Sequence, residues 1–129
     1  MAHILIVEDD SVLRKILRRV LEKSGHQIIV AENGIQGIDL LKENEVAFDL
    51  IVTDVLMPGE SGITVIKESR IHCPSAKLLA ISGGSDDQPA RWSLKMSEMF
   101  GADAVLFKPF KNSAFSELVA TLLSEAGDA

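Results

Sequence analysis

Six polar side chains close short apolar runs along this chain. Glu8, Asp9 and Asp10 follow "HILIV", Asp54 ends "LIVTD" (50–54), Ser82 ends "KLLAIS" (77–82) and Lys108 ends "AVLFK" (104–108). Asp is a poor strand residue, and an ionised carboxylate taken into a core is costly unless a positive group meets it. Glu8, Asp9 and Asp54 gathered at one place would also repel one another. Two unit charges about 4 Å apart cost about 1 kcal/mol in water and about 4 kcal/mol at an effective dielectric of about 20. Such a cluster calls for a hard divalent cation. Mg²⁺ suits it, with Mn²⁺ as a substitute, because it accepts a few carboxylates and keeps several waters. Zinc would seek His or Cys, and none of His3, His26, His72 or Cys73 stands at these run ends. With the Lys108 ammonium and the Ser82 hydroxyl added, the set reads as a phosphoryl-binding arrangement. Asp54 is then the nucleophile, the product is an aspartyl phosphate, and metal, Lys108 and Ser82 hold the three equatorial oxygens.

These residues meet only if the chain brings them together. With "QIIVA" (27–31) there are five β-branched, apolar runs, each reading as a buried strand. Between and after them helical spacing is predicted over 12–23, 35–44, 63–70, about 89–100 and 113–123. Gly25 and Gly101 stand where a left-handed residue closes a helix, and Ser85-Asp86-Asp87-Gln88 with Pro89 offers a helix start. The order is (βα)5, a doubly wound five-stranded parallel sheet with helices on both faces. Parallel strands place all carboxyl ends on one edge, where open α/β sheets bind ligands. Four of the five ends are polar and the end of strand two, Ala31, is not. The flavodoxin-like order 2-1-3-4-5 puts that strand outermost and sets Asp54 opposite Glu8 and Asp9. Singly, Asp9 or Asp10 could cap a helix, Asp54 could start the Pro58-Gly59 turn, Ser82 could cap and Lys108 could be a surface charge. Four such coincidences at one topological position are hard to credit.

At 129 residues, 25% charged and 47% hydrophobic, the chain fits one domain over 1–129, with no output domain expected. A net charge of −6 disfavours a nucleic-acid partner. Arg14, Lys15, Arg18 and Arg19, interleaved with Val12, Leu13, Ile16, Leu17, Val20 and Leu21, read more readily as the solvated side of a half-buried helix than as a docking surface for an acidic partner. The lone Cys73 cannot form an intrachain disulfide. No run approaches the roughly 18 apolar residues of a membrane span, and Glu8 interrupts any signal-peptide pattern. A cytoplasmic location, with no membrane partner, is expected.

"ILIVEDD", "DLIVTDVLMPGESGI", "LLAISGG" and "GADAVLFKPF" closely resemble the four blocks of the CheY-like receiver domain of two-component response regulators, in order and over almost the whole chain. The resemblance implies that Asp54 takes phosphate from a phosphohistidine on a sensor histidine kinase or histidine phosphotransfer protein. It implies Asp9 and Asp54 as direct Mg²⁺ ligands, Glu8 through water, and the backbone carbonyl of Leu56. It also implies Ser82 as the switch hydroxyl, Lys108 as its partner on the phosphoryl group, and a Lys108-Pro109 bond that is often cis. The chain is then a phosphoacceptor signalling protein, not an enzyme, that promotes its own phosphorylation and slow dephosphorylation and acts on a downstream protein that the sequence does not name. Two departures stand out. Val105 occupies the place of the usual Tyr or Phe, so no ring can turn inward there. The stretch from Ser82 to Lys108 is about four residues longer than is typical, with Trp92, Met96 and Met99 on a helix expected to carry the output. A phosphorelay intermediate that passes its phosphate to a histidine phosphotransfer protein is the close alternative. An Asp-nucleophile phosphohydrolase is remote, because Leu56 stands where its second acid belongs.

Overall fold

A computed structural model describes residues 1–43, 47–55, 62–83 and 101–127. The elements are β1 (His3–Val7), α1 (Ser11–Lys23), β2 (Gln27–Ala31), α2 (Gly34–Glu43), β3 (Leu50–Asp54), α3 (Gly62–His72), β4 (Lys77–Ser82), β5 (Ala104–Phe107) and α4 (Asn112–Gly127). The strands form one parallel sheet in the order β2-β1-β3-β4-β5, as the distribution of polar strand ends predicts. The helix expected over 89–100, with Trp92, Met96 and Met99, lies outside the described residues.

Alternation along each strand divides the core in two. Leu5, Val7, Ile51, Leu78 and Ala80 pack with Ile38 and Leu41 of α2 and with Val65 and Ile66 of α3. Ile4, Ile6, Val52, Leu79 and Ile81 pack with Leu17 and Leu21 of α1 and with Phe115, Val119 and Leu122 of α4. Strands apolar on both sides can exist only with both faces covered, so the helices must lie on both. Val105 packs against the α2–α3 side.

Helix ends follow their local chemistry. Asp10 caps α1, its Oδ1 accepting from the amides of Val12 at 2.9 Å and Leu13 at 3.3 Å. At the other end the Gly25 amide donates to Glu22 O and the His26 amide to Leu21 O, with Gly25 at φ +90°. This is the paired-bond closure that a left-handed residue permits. One expectation on α1 is modified: Val12 is 66% and Ile16 38% exposed. They lie beside the buried stripe of Leu17 and Leu21 and not within it.

Candidate functional site

The order of the strands decides which ends meet. β1 and β3 are neighbours, with Val7 opposite Thr53, so Glu8 and Asp54 each follow that pair by one residue. β4 flanks β3 with Asp54 opposite Ile81, which leaves Ser82 one step further along. β5 flanks β4, and the Lys108 amide donates to the Ser82 carbonyl at 2.9 Å. Glu8, Asp54, Ser82 and Lys108, scattered in the sequence, thus share one carboxyl edge.

Lys108 reaches across that edge. Its Nζ donates to Asp54 Oδ2 at 2.6 Å and to Glu8 Oε1 at 3.1 Å. Asp54 is 3% and Glu8 1% exposed, so two carboxylates share one ammonium in a site where screening by water is weak. Burial foremost, then the hydrogen bond and negative charge of Asp54, push the Glu8 carboxyl up to about 8, against the opposing pull of Lys108. Burial pulls Lys108 down, but the hydrogen bond and charge of Asp54, with those of Glu8, outweigh it and hold the ammonium above its ordinary value.

One carboxylate oxygen each from Glu8, Asp9 and Asp54 lie within 4.8 Å of one another. Among the described residues, two buried side-chain atoms have no hydrogen-bond partner, and both are here: Glu8 Oε2 and Ser82 Oγ. Buried polar atoms are rarely left so in native proteins. Hard oxygen donors in negative excess fit Mg²⁺ or Mn²⁺ and do not fit a metal that wants nitrogen or sulfur. The structure therefore gathers Glu8, Asp9, Asp54 and Lys108, places Ser82 on the adjoining strand end, and uses the Asp10 carboxylate to cap α1. Leu56 lies outside the described residues. The Lys108-Pro109 peptide is cis.

Two contributors are not evident from the sequence. Arg14 belongs to the basic set on α1, yet its Nη1 donates to the Glu8 carbonyl at 2.9 Å, with Nη2 3.7 Å from Glu32 Oε1. It steadies the backbone of the acidic strand end; its place one turn into α1, after the Asp10 cap, was the available signal. Gly62, at the start of α3, packs directly on the Asp54 main chain.

A groove lined by Asp10, Val12, Ile16, Lys108, Pro109 and Asn112 joins this edge to the outer side of α1. It continues along α1 past Lys15, Arg19 and Lys23, whose charges are in no ion pair among the described residues.

A family model described as the response regulator receiver domain matches residues 4–120. The transcriptional regulatory protein CpxR of Escherichia coli strain K12 is 37% identical over 123 residues, covering 95% of this chain and 48% of CpxR. The sensor kinase CckA of Brucella abortus strain 2308 is 31% identical over 96% of this chain and 13% of CckA. The chain thus spans about half the length of CpxR and a small part of CckA. A CheY-like response regulator receiver domain protein from Methanospirillum hungatei JF-1 superposes with a TM-score of 0.87 at 23% identity, covering 99% of this chain and 98% of that one. The signal receiver domain of a histidine kinase from Syntrophus aciditrophicus does so at 0.83 with 28% identity, covering 97% and 92%.

Proposed function

The chain belongs to the response regulator receiver family of two-component signalling, and from that premise we propose that Asp54 accepts a phosphoryl group from a phosphohistidine and that the product alters binding to a downstream protein. The observation that carries this is the Asp54 carboxylate, buried, 2.6 Å from Lys108 Nζ and grouped with two further carboxylates. A buried acid with a fixed cation and surplus negative charge beside it is suited to accepting an electrophile.

In the step, an Asp54 carboxylate oxygen forms a bond to phosphorus as the phosphorus–nitrogen bond to the donor imidazole breaks. The imidazole departs with the bonding pair and takes up a proton. Lys108 is placed to move from the free carboxylate to a phosphoryl oxygen, keeping one positive charge on the group throughout. Ser82 Oγ, buried and unpartnered, is the donor available for a second phosphoryl oxygen. Glu8, Asp9 and Asp54 would hold Mg²⁺, with the Leu56 carbonyl implied by the family resemblance; bound there, it would neutralise the acidic cluster and supply positive charge to the phosphoryl oxygens. The donor docks along the groove beside α1: the sequence favours a solvated face there, but Val12 and Ile16 are exposed beside Lys15, Arg19 and Lys23, which suits an acidic partner.

Incubation with acetyl phosphate and Mg²⁺ should add one phosphoryl group by intact mass. A chelator should prevent the gain, and Asp54→Asn should abolish it. A gain of equal rate in Asp54→Asn would refute the assignment.

A further inference from the structure

The chain leaves the sheet at Val55 and returns against it at Gly62, where α3 begins. The Gly62 amide donates to the Val55 carbonyl at 3.1 Å, and the Val55 amide is held by Ile81 O at 2.9 Å. Thr53 Oγ1 donates to the Asp54 carbonyl oxygen at 3.1 Å. The main chain that carries Asp54 is thus fixed from three sides, and Gly62 forms one of them.

A Cβ built on Gly62 would collide with the Asp54 carbonyl oxygen and stand 2.6 Å from Val55 Cα and 2.8 Å from the Asp54 carbonyl carbon. All three are backbone atoms of the strand end and cannot turn aside as a flexible side chain could. Gly62 is not in the left-handed region, so space and not backbone freedom demands glycine here. Gly25 is the opposite case: its φ is +90° and a Cβ would meet nothing within 4 Å.

We infer that Gly62 is a positioning residue for phosphorylation: by bringing α3 into contact with the Asp54 backbone, it sets the Asp54 carboxylate against Lys108 and against the acidic oxygens of Glu8 and Asp9. Any side chain at 62 must push the end of β3 away from α3. Asp54 Oδ2 then leaves its 2.6 Å contact with Lys108 Nζ, and the three-carboxylate grouping opens. Because the first side-chain carbon alone makes the collision, Ala and Ser at this position should behave alike.

This inference rests on the phosphoacceptor reading and deepens it, and the experiment keeps the two apart. Wild type, Gly62→Ala, Gly62→Ser and Gly25→Ala are compared for urea stability, Mg²⁺ affinity by calorimetry, and rate of mass gain at saturating acetyl phosphate. Both Gly62 variants should bind Mg²⁺ more weakly and gain mass about 100-fold more slowly, the loss that a misplacement of about 1 Å commonly brings. Gly25→Ala should be less stable yet keep wild-type affinity and rate. Gly62 variants with wild-type affinity and rate, or losses matched by Gly25→Ala at equal destabilisation, would overturn the inference while leaving Asp54 as the acceptor. No mass gain in wild type would overturn both. If the Gly62 variants do not fold, amide exchange in wild type decides: Mg²⁺ should slow the Val55 and Gly62 amides together and leave Gly25 unchanged, and no slowing at either would overturn the inference.

Discussion

At the amino edge of the sheet, Asp49 Oδ2 accepts the His3 amide at 2.9 Å, His26 Nδ1 accepts the Ala2 amide at 3.1 Å, and Asp103 Oδ2 accepts the Leu78 amide at 2.8 Å. Arg70 completes that edge by donating to the Ala76 and Gly101 carbonyls and pairing with Asp103 at 2.7 Å. At the carboxyl edge, two buried carboxylates crowd one ammonium while Glu8 Oε2 and Ser82 Oγ find no partner. The same five strands supply both edges, so the contrast is one of use. Polar side chains at the amino edge satisfy backbone amides at the strand starts, part-buried at Ala2 and Leu78, which favours the fold. Those at the carboxyl edge face one another, which disfavours the fold and leaves donors and acceptors for something that arrives later.

If the contrast is right, mutations at the two edges should have opposite effects. The largest change in stability is expected at Asp103. Asp103→Ala removes the acceptor of the Leu78 amide, in a residue with no exposure, and frees Arg70 from its pair; leaving such a donor unsatisfied costs about 1–3 kcal/mol. Urea denaturation should show a loss in that range, while the rate of phosphorylation by acetyl phosphate stays as in wild type. A stable Asp103→Ala, or one that cannot be phosphorylated, would erase the distinction. A smaller effect of opposite sign is expected at Glu8. Folding without metal must protonate Glu8 or hold it ionised against Asp54, since burial and Asp54 push its carboxyl up to about 8, and either way stability is lost above the unfolded value of about 4.3. Glu8→Gln removes that cost, so about 1–2 kcal/mol of added stability is expected in metal-free protein near pH 7. The variant should gain less than wild type on adding Mg²⁺. Equal destabilisation with and without metal would place Glu8 among structural residues.

The carboxyl edge was the more legible half, for a physical reason. A carboxylate or ammonium at the end of an apolar strand contradicts strand preference, so Glu8, Asp54 and Lys108 stand out in the sequence, and the one apolar end, Ala31, identifies the outer strand. The amino edge carries no such contradiction. Asp103 and Arg70 lie 33 residues apart and look like ordinary surface charges until the fold joins them. Gly62 was opaque for a related reason, because its constraint is a collision with a strand end eight positions earlier. On α1, Val12 and Ile16 share helical spacing with Leu13, Leu17, Val20 and Leu21, and an apolar set that wide covers more than one face. Spacing alone cannot say which members are buried, and the answer came from where β1, β2 and α4 pack.

The smallest expected effect belongs to His26, and it tests whether the amino edge depends on a particular protonation state. Its Nδ1 can accept the Ala2 amide only while unprotonated. Burial first, and then the charge of the N-terminal ammonium, hold its pKa below the ordinary value, with Asp49 opposing. A folded-state pKa below the unfolded one means that the folded protein favours the neutral ring. The stabilisation is present above the unfolded pKa of about 6.5, and it is lost as pH falls through the lower folded value. One hydrogen bond at a partly exposed ring sets the scale at below about 1 kcal/mol. Urea midpoints of wild type and His26→Gln should therefore converge as pH is lowered from 7.5 toward 5, with wild type the more stable only at the upper end. Mg²⁺ should not alter that difference, since the metal would sit at the far edge. Parallel pH profiles for the two proteins would show that the Ala2–His26 contact contributes nothing to the amino edge, whereas a difference that appears only with Mg²⁺ would show that the two edges are coupled and not separate in use.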